Sequence, residues 1–209
     1  MDKIVVIGGG GHAKVLISIL KKCSYEVVGY TDHYDRGSIL GVSYLGKDSV
    51  LKSIGEESRV SHAVVGIGKV DCSDMRLRIQ EEVKRWGFTF PIITSPRASV
   101  NEDVVLGEGT VVFDGAVINS GARIGKACII NSNSTVEHDC IIEDDVHIGP
   151  GAAVSGGVEI GHHCMIGVGA SICHGVTIAS RSLIGAGATV SRNIQDSGTY
   201  VGTPARKIL

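Results

Sequence analysis

Two stretches of the sequence carry residue types that do chemistry. The first is Glu137-His138-Asp139. Histidine is the side chain whose ordinary pKa best suits a base near neutral pH. A carboxylate hydrogen-bonded to it orients the ring and raises its basicity. The second is Gly8-Gly9-Gly10-Gly11-His12-Ala13, directly after the apolar run 4–7. Gly8-x-Gly10-x-x-Ala13 fits a dinucleotide fingerprint, and Asp32 follows about twenty residues on, where an acid can meet a ribose. Glycines there let a backbone approach a pyrophosphate at a helix N-terminus, whose dipole favours anions. The competing reading is that Gly8–Gly11 only packs a helix close to a strand.

These groups need elements to hold them. Every sixth residue from Val100 to Val190 is Ile, Leu or Val, at all sixteen positions and without an insertion. A second row, two residues earlier in each repeat, holds nothing larger than valine. A helix requires a spacing of three or four, whereas six fits one short strand plus a tight corner. The two rows are inward-facing strand positions. Gly, Asn, Ser and Glu crowd the next position, where the chain turns. Three sides close a triangular coil of 18 residues, and 100–195 stack about five coils as parallel ladders. His138 lies two residues past the inward Val136 and so points outward. Cys128, Cys140 and Cys164 fall on the small inward row and read as core filler.

Upstream, strands over 4–7, 26–30, 63–67 and 90–93 alternate with helices after Gly11, over 47–54, and from Ser73 or Asp74 to Trp86. That order predicts a small parallel α/β sheet. Residues 1–94 make one mononucleotide-binding half with no second fingerprint, a poor fit for a redox dinucleotide. A nucleoside-diphosphate ligand fits better.

Composition sets the outer limits. The 209 residues are 43% hydrophobic and 20% charged with a formal charge of −2, which excludes disorder as the main state and argues against a nucleic-acid surface. Glycine occurs 29 times and aromatics are only 4%, as a repetitive core of small and aliphatic side chains requires. No apolar run approaches a membrane span, and the N-terminus is a poor signal peptide. The six cysteines are widely spaced with no CxxC, so reduced thiols in the cytoplasm are expected.

The six-residue pattern resembles the hexapeptide-repeat, left-handed parallel β-helix family, and the handedness comes from that resemblance. With the N-terminal half domain, the whole chain resembles the NeuD/PglD-type sugar acetyltransferases. The likeness is carried by IGGGGHAKV at 7–15, GYTD at 29–32, NSNSTVEHDC at 131–140, DVHIGPGA at 145–152 and VGTPARKI at 201–208. It implies a nucleotide-sugar-binding α/β domain over 1–94 and a β-helical, acetyl-CoA-binding catalytic domain over 95–209. The protein would be a homotrimer with ligand sites between subunits. The reaction implied is transfer of acetyl from acetyl-CoA to the 4-amino group of a nucleotide-linked 4-amino-4,6-dideoxy sugar, without nucleic acid or membrane.

Carried over by motif, His138 is the catalytic base and Asp139 its acid, shorter than the family's usual glutamate. Gly10, Gly11, His12, Asp32 and Asn131 belong to the acceptor side. His147, Gly149, Gly167, Gly185, Arg206 and Lys207 belong to acetyl-CoA, with Gly151 on the same wall. Asp32 is followed by His33 where the family usually has a second acid, which leaves UDP, dTDP and GDP open. O-acetylation of sialic acid, and a non-catalytic trimer that binds nucleotide sugar, are the alternatives. A zinc enzyme of the same fold needs three converging imidazoles. No two of His138, His147, His162, His163 and His174 are 18 residues apart. His138 and His174 stand two coils apart, about 9–10 Å by strand spacing. No metal is expected, and His162, His163 and His174 read as surface residues.

Overall fold

The computed structural model describes residues 1–57 and 60–208. The chain divides into two compact units. One holds residues 1–68 and 75–96; the other holds 69–74 together with 97–209.

In the first unit, strands β1 (Lys3–Ile7), β2 (Glu26–Thr31), β3 (Tyr44–Gly46) and β4 (His62–Val65) form a parallel sheet in the order β3-β2-β1-β4. Ile4, Val5, Val6 and Ile7 are all fully buried, as a central parallel strand covered on both faces must be. Helix α1 (Gly11–Lys22) buries Ala13, Leu16, Ile17, Ile19 and Leu20, a stripe at helical spacing. Lys21 and Lys22 in its last turn complement the helix dipole. Its first turn has no side-chain cap. Helices α2 (Leu51–Glu57) and α3 (Met75–Lys84) complete the layer, with a single 3₁₀ turn over Asp48–Val50 before α2. Gly9 is required by close approach: a Cβ there would lie 2.5 Å from the Tyr30 ring. The strand expected over 90–93 does not join this sheet: Ile93–Thr94 is a two-residue strand, β5, outside it, and an isolated bridge from His62 to Thr89 lies upstream.

The second unit is a parallel β-helix. Short strands run from β6 (Ser99–Val100) to β21 (Thr189–Val190), and each pairs with the strand 18 residues away, as in Arg123 with Val105 and Ile141. Both inward rows form one core from Val112 to Ile194. Each fully buried Ile or Val contributes about 1.5–3 kcal/mol, so a coil with three of them is held largely by its own interior. The corners differ in one respect from expectation. The left-handed residue lies three places after the large aliphatic, at every sixth residue from Gly109 to Gly187. Most of these are glycine, but Ala127, Asn133, Asp139, Asp145, His163 and Arg181 also adopt positive φ there.

The tail ends in β22 (Gly198–Val201) and β23 (Arg206–Lys207), an antiparallel pair. All six cysteines are free thiols. Burial pushes the Cys128 and Cys164 thiols up to about 12, so these two are core filler rather than nucleophiles.

Candidate active site

His138 projects from a β-helix corner with its side chain 56% exposed. Its Nδ1 lies 2.8 Å from Asp139 Oδ2. A carboxylate only accepts, so Nδ1 carries the hydrogen, and in the neutral ring Nε2 is the atom with the lone pair. That is the tautomer of a general base. Glu137 does not share this task, because Asn119 Nδ2 donates to Glu137 Oε2 at 2.8 Å from the coil before. Asp139 sits at a left-handed corner with φ of 59°, a conformation aspartate tolerates better than most residues.

The direction of Nε2 is set by an empty place one coil on. Gly156 follows His138 by 18 residues, and a Cβ on it would stand 2.5 Å from His138 Nε2. The imidazole therefore leans across Gly156. This corrects the expected separation of His138 and His174: their ring centroids are 6.5 Å apart, less than two strand spacings, because the ring tilts along the ladder. Among the described residues no group of three or more His, Cys, Asp or Glu could hold a metal ion.

Asn131 and His147 form a second pair. His147 is 6% exposed, and its Nε2 accepts from Asn131 Nδ2 at 2.9 Å. Gly149, Gly167 and Gly185 stack in one column. A Cβ at Gly149 would meet the Ile166 carbonyl at 2.5 Å and one at Gly167 the Ala186 nitrogen at 2.6 Å. Their N–H groups donate to Ile166, Ile184 and Tyr200. Their N–H groups are thus used between coils, and their carbonyls accept from Ala152, Ala170 and Ala188 three residues on. Arg206 and Lys207 are exposed on β23.

In the first unit a cleft of about 510 Å³ is lined by Gly8, Gly9, Gly10, Asp32, His33, Tyr34, Arg36, Asp48, Ile67, Met75 and Ile79. Gly10 and Asp32 lie in it. Gly11 and His12 form the adjacent first turn of α1, with His12 beside Gly68. Asp32 Oδ2 accepts from Gly9 N–H at 2.9 Å and Oδ1 from Tyr34 N–H at 3.1 Å. Arg36 Nε stands 3.7 Å from the same carboxylate. Burial opposes ionisation of Asp32, but the amides of Tyr34 and Gly9 and the Arg36 charge outweigh it and hold the carboxyl below the usual aspartate range. The Gly9 amide is thereby occupied, which leaves the uncapped start of α1 as the anion-favouring edge of the cleft.

Sequence reasoning missed Tyr34, Arg36, Asp48, Ile67 and Met75, which carry no motif. It also missed Lys69, whose ammonium lies 2.8 Å from Asp145 with both side chains buried. The signal for the third member, His163, was available: it follows Asp145 by one coil and bonds it at 2.9 Å.

An imidazole–carboxylate pair on a hexapeptide coil, joined to an α/β half with a glycine-edged cleft, fits a β-helical acyltransferase of the sugar-modifying type. The PglD N-terminal domain pattern matches residues 3–83, and the bacterial transferase hexapeptide pattern matches 121–156, 139–173 and 157–192. The perosamine N-acetyltransferase of Caulobacter crescentus, solved with CoA and GDP-perosamine, is 36% identical over 100% of this chain and 98% of its own, with a TM-score of 0.94. The acetyltransferase domain of PglB from Neisseria gonorrhoeae, solved with acetyl coenzyme A, is 33% identical over 99% of this chain and 98% of its own, with a TM-score of 0.92. WeeI from Acinetobacter baumannii, 24% identical with a TM-score of 0.87, shares the fold. The chain belongs to the NeuD/PglD-type family of hexapeptide-repeat sugar acetyltransferases.

Proposed function

We propose that this protein transfers acetyl from acetyl-CoA to the 4-amino group of a nucleotide-linked 4-amino-4,6-dideoxy sugar. The observation that carries this is the His138–Asp139 pair, with Nε2 turned over the Gly156 gap. The whole-length likeness to a protein solved with CoA and GDP-perosamine supports it, and makes a GDP-linked sugar the first to try.

In this reading the acceptor nitrogen attacks the thioester carbonyl as His138 Nε2 takes its proton. The C–N bond forms, the tetrahedral intermediate collapses, and the C–S bond breaks. The imidazolium then returns its proton to the leaving thiolate. Transfer is direct in this reading, in a ternary complex, and the buried Cys128 and Cys164, with raised pKa, offer no thiolate for an acyl-enzyme. The domain over 1–94 holds the nucleotide, with Gly10, Gly11 and His12 at its phosphates and Asp32 at the ribose or base. Asn131 lies near the acceptor sugar. His147 contacts the acetyl donor, whose pantetheine arm runs along the Gly149, Gly167 and Gly185 wall while Arg206 and Lys207 meet the CoA phosphates. The two substrates meet between subunits of a homotrimer in the cytoplasm. No helix among the described residues is long and apolar enough to cross a membrane.

Thiol release from acetyl-CoA tests this with GDP-, UDP- and dTDP-linked 4-amino sugars and free sialic acid. Fast turnover with one nucleotide amino sugar is expected. Turnover with sialic acid alone would make the enzyme an O-acetyltransferase. Silence throughout, with nucleotide sugar bound, would leave a binding protein.

A further inference from the structure

Segment 69–74 follows β4 and precedes α3 in sequence, yet it clusters with the β-helix. Its anchor is a buried charge pair. Lys69 Nζ lies 2.8 Å from Asp145 Oδ2, and the two side chains are 2% and 0% exposed. The same ammonium donates to the Ser73 carbonyl. His163 Nδ1 stands 2.9 Å from the same Asp145 oxygen, and Arg181 Nη1 donates to the Cys72 carbonyl at 3.4 Å. Asp145, His163 and Arg181 are successive members of one corner column, all at positive φ, where other columns carry mostly glycine. Three adjacent coils thus accept a disfavoured backbone in order to present side chains to the segment and its anchor.

A buried ion pair is a weak source of stability, because desolvation of two charges offsets their attraction. This one has a geometric consequence. The Lys69 carbonyl lies 2.8 Å from His147 Nδ1. A carbonyl cannot donate, so Nδ1 carries the hydrogen and Nε2 is the acceptor. Nε2 receives Asn131 Nδ2 at 2.9 Å, and Asn131 Oδ1 in turn accepts from Ser132 N–H at 2.8 Å. One unbroken chain of contacts runs from Asp145 through Lys69 and His147 to the Asn131 amide.

We propose that Lys69 is a positioning residue for acetyl transfer: its pair with Asp145 fixes the tautomer and ring plane of His147, and through it the Asn131 amide. This rests on the reading above, in which His147 faces the acetyl donor and Asn131 the acceptor.

The test uses the full chain as wild type, Lys69→Met and Lys69→Met/Asp145→Asn. Nitrogen-15 NMR of labelled histidine reads the His147 tautomer, steady-state kinetics give kcat and KM, and thermal unfolding gives Tm. Wild type is expected to show the Nδ1–H tautomer. Both variants should show a tautomer mixture and a kcat lower by about 10- to 100-fold, the scale of a misplaced contact near the chemistry. The neutral double variant should regain the Tm lost by the single one without regaining kcat. That split separates positioning from stability. A retained Nδ1–H tautomer in both variants, an altered tautomer with unchanged kcat, or kcat recovering with Tm would each overturn the proposal. If Lys69→Met alone fails to fold, the double variant, which buries no unpaired charge, carries the test. Wild type inactive on every nucleotide amino sugar would count against the functional reading, while the tautomer would still decide whether Lys69 sets His147.

Discussion

Gly156→Ala isolates the aim of the His138 ring from its chemistry. Gly156 has an ordinary φ, so alanine fits its backbone, and the added methyl meets one side chain. The new Cβ would lie 2.5 Å from His138 Nε2, 2.7 Å from Cε1 and 3.1 Å from Cδ2. Ordinary contact begins near 3.4 Å, so Nε2 must retreat by about 0.9 Å. The half-exposed imidazole can do this by rotating away, at little cost to the fold but against its 2.8 Å bond to Asp139. A displacement near 1 Å at a reacting group costs up to about a hundredfold in rate, or roughly 2.7 kcal/mol at 1.36 kcal/mol per decade. The assay is kcat by thiol release, with thermal unfolding in parallel. Expected is a kcat loss of about 10- to 100-fold with Tm within about 2–4 °C, the equivalent of 1 kcal/mol or less. Added to His138→Ala, the substitution should cost nothing further, since the ring it displaces is gone. A kcat within twofold of wild type would refute the idea that Nε2 works from above Gly156.

Three further outcomes are expected. His138→Ala should lose at least about a hundredfold in kcat with folding unchanged by circular dichroism; a nearly active variant would remove His138 as base. Asp32→Asn should raise KM for the nucleotide sugar more than it lowers kcat. The Asp32 carboxyl is held below its ordinary pKa, so the stability it contributes is present above about pH 4, the unfolded value. That contribution is lost as pH falls through the lowered folded value, and urea unfolding of wild type and Asp32→Asn should converge there. Arg181→Gly relieves a positive-φ corner at an exposed residue, a conformation that costs an L-residue about 1–2 kcal/mol. Tm should rise by about 2–4 °C, and a fall would mean that the bond to the Cys72 carbonyl outweighs the strain.

The repeat was legible because a β-helix is nearly one-dimensional: each residue's neighbours are its neighbours at 18, so register follows from counting. The same logic identified the cysteines of the inward row and the outward direction of His138. It failed where a side chain leaves the perpendicular. Strand spacing alone put His138 and His174 at about 9–10 Å, whereas the rings stand 6.5 Å apart, because only a glycine separates them on the ladder. In the α/β half the glycine loop and Asp32 were readable from a motif, but Tyr34, Arg36 and Asp48 were not. They enter the cleft through the path of a loop, which no periodicity governs. Lys69 was invisible for a related reason: its partner Asp145 is 76 residues away, and its own segment lies outside the repeat.

The corners join these observations. At the left-handed place of each turn glycine costs least, and the chain uses it at most of them. At four of the six places where it does not, the substitute has an assignment that glycine could not fill. Asp139 holds the His138 ring. Asp145 holds Lys69, His163 holds Asp145, and Arg181 reaches the segment that Lys69 begins. Asn133 and Ala127 have no such contact, and asparagine is among the residues best suited to that conformation. Backbone strain in this β-helix is therefore concentrated on the Asp139 corner and on the Asp145 column. These are the two places where the hydrogen-bond chains that fix His138 and His147 begin.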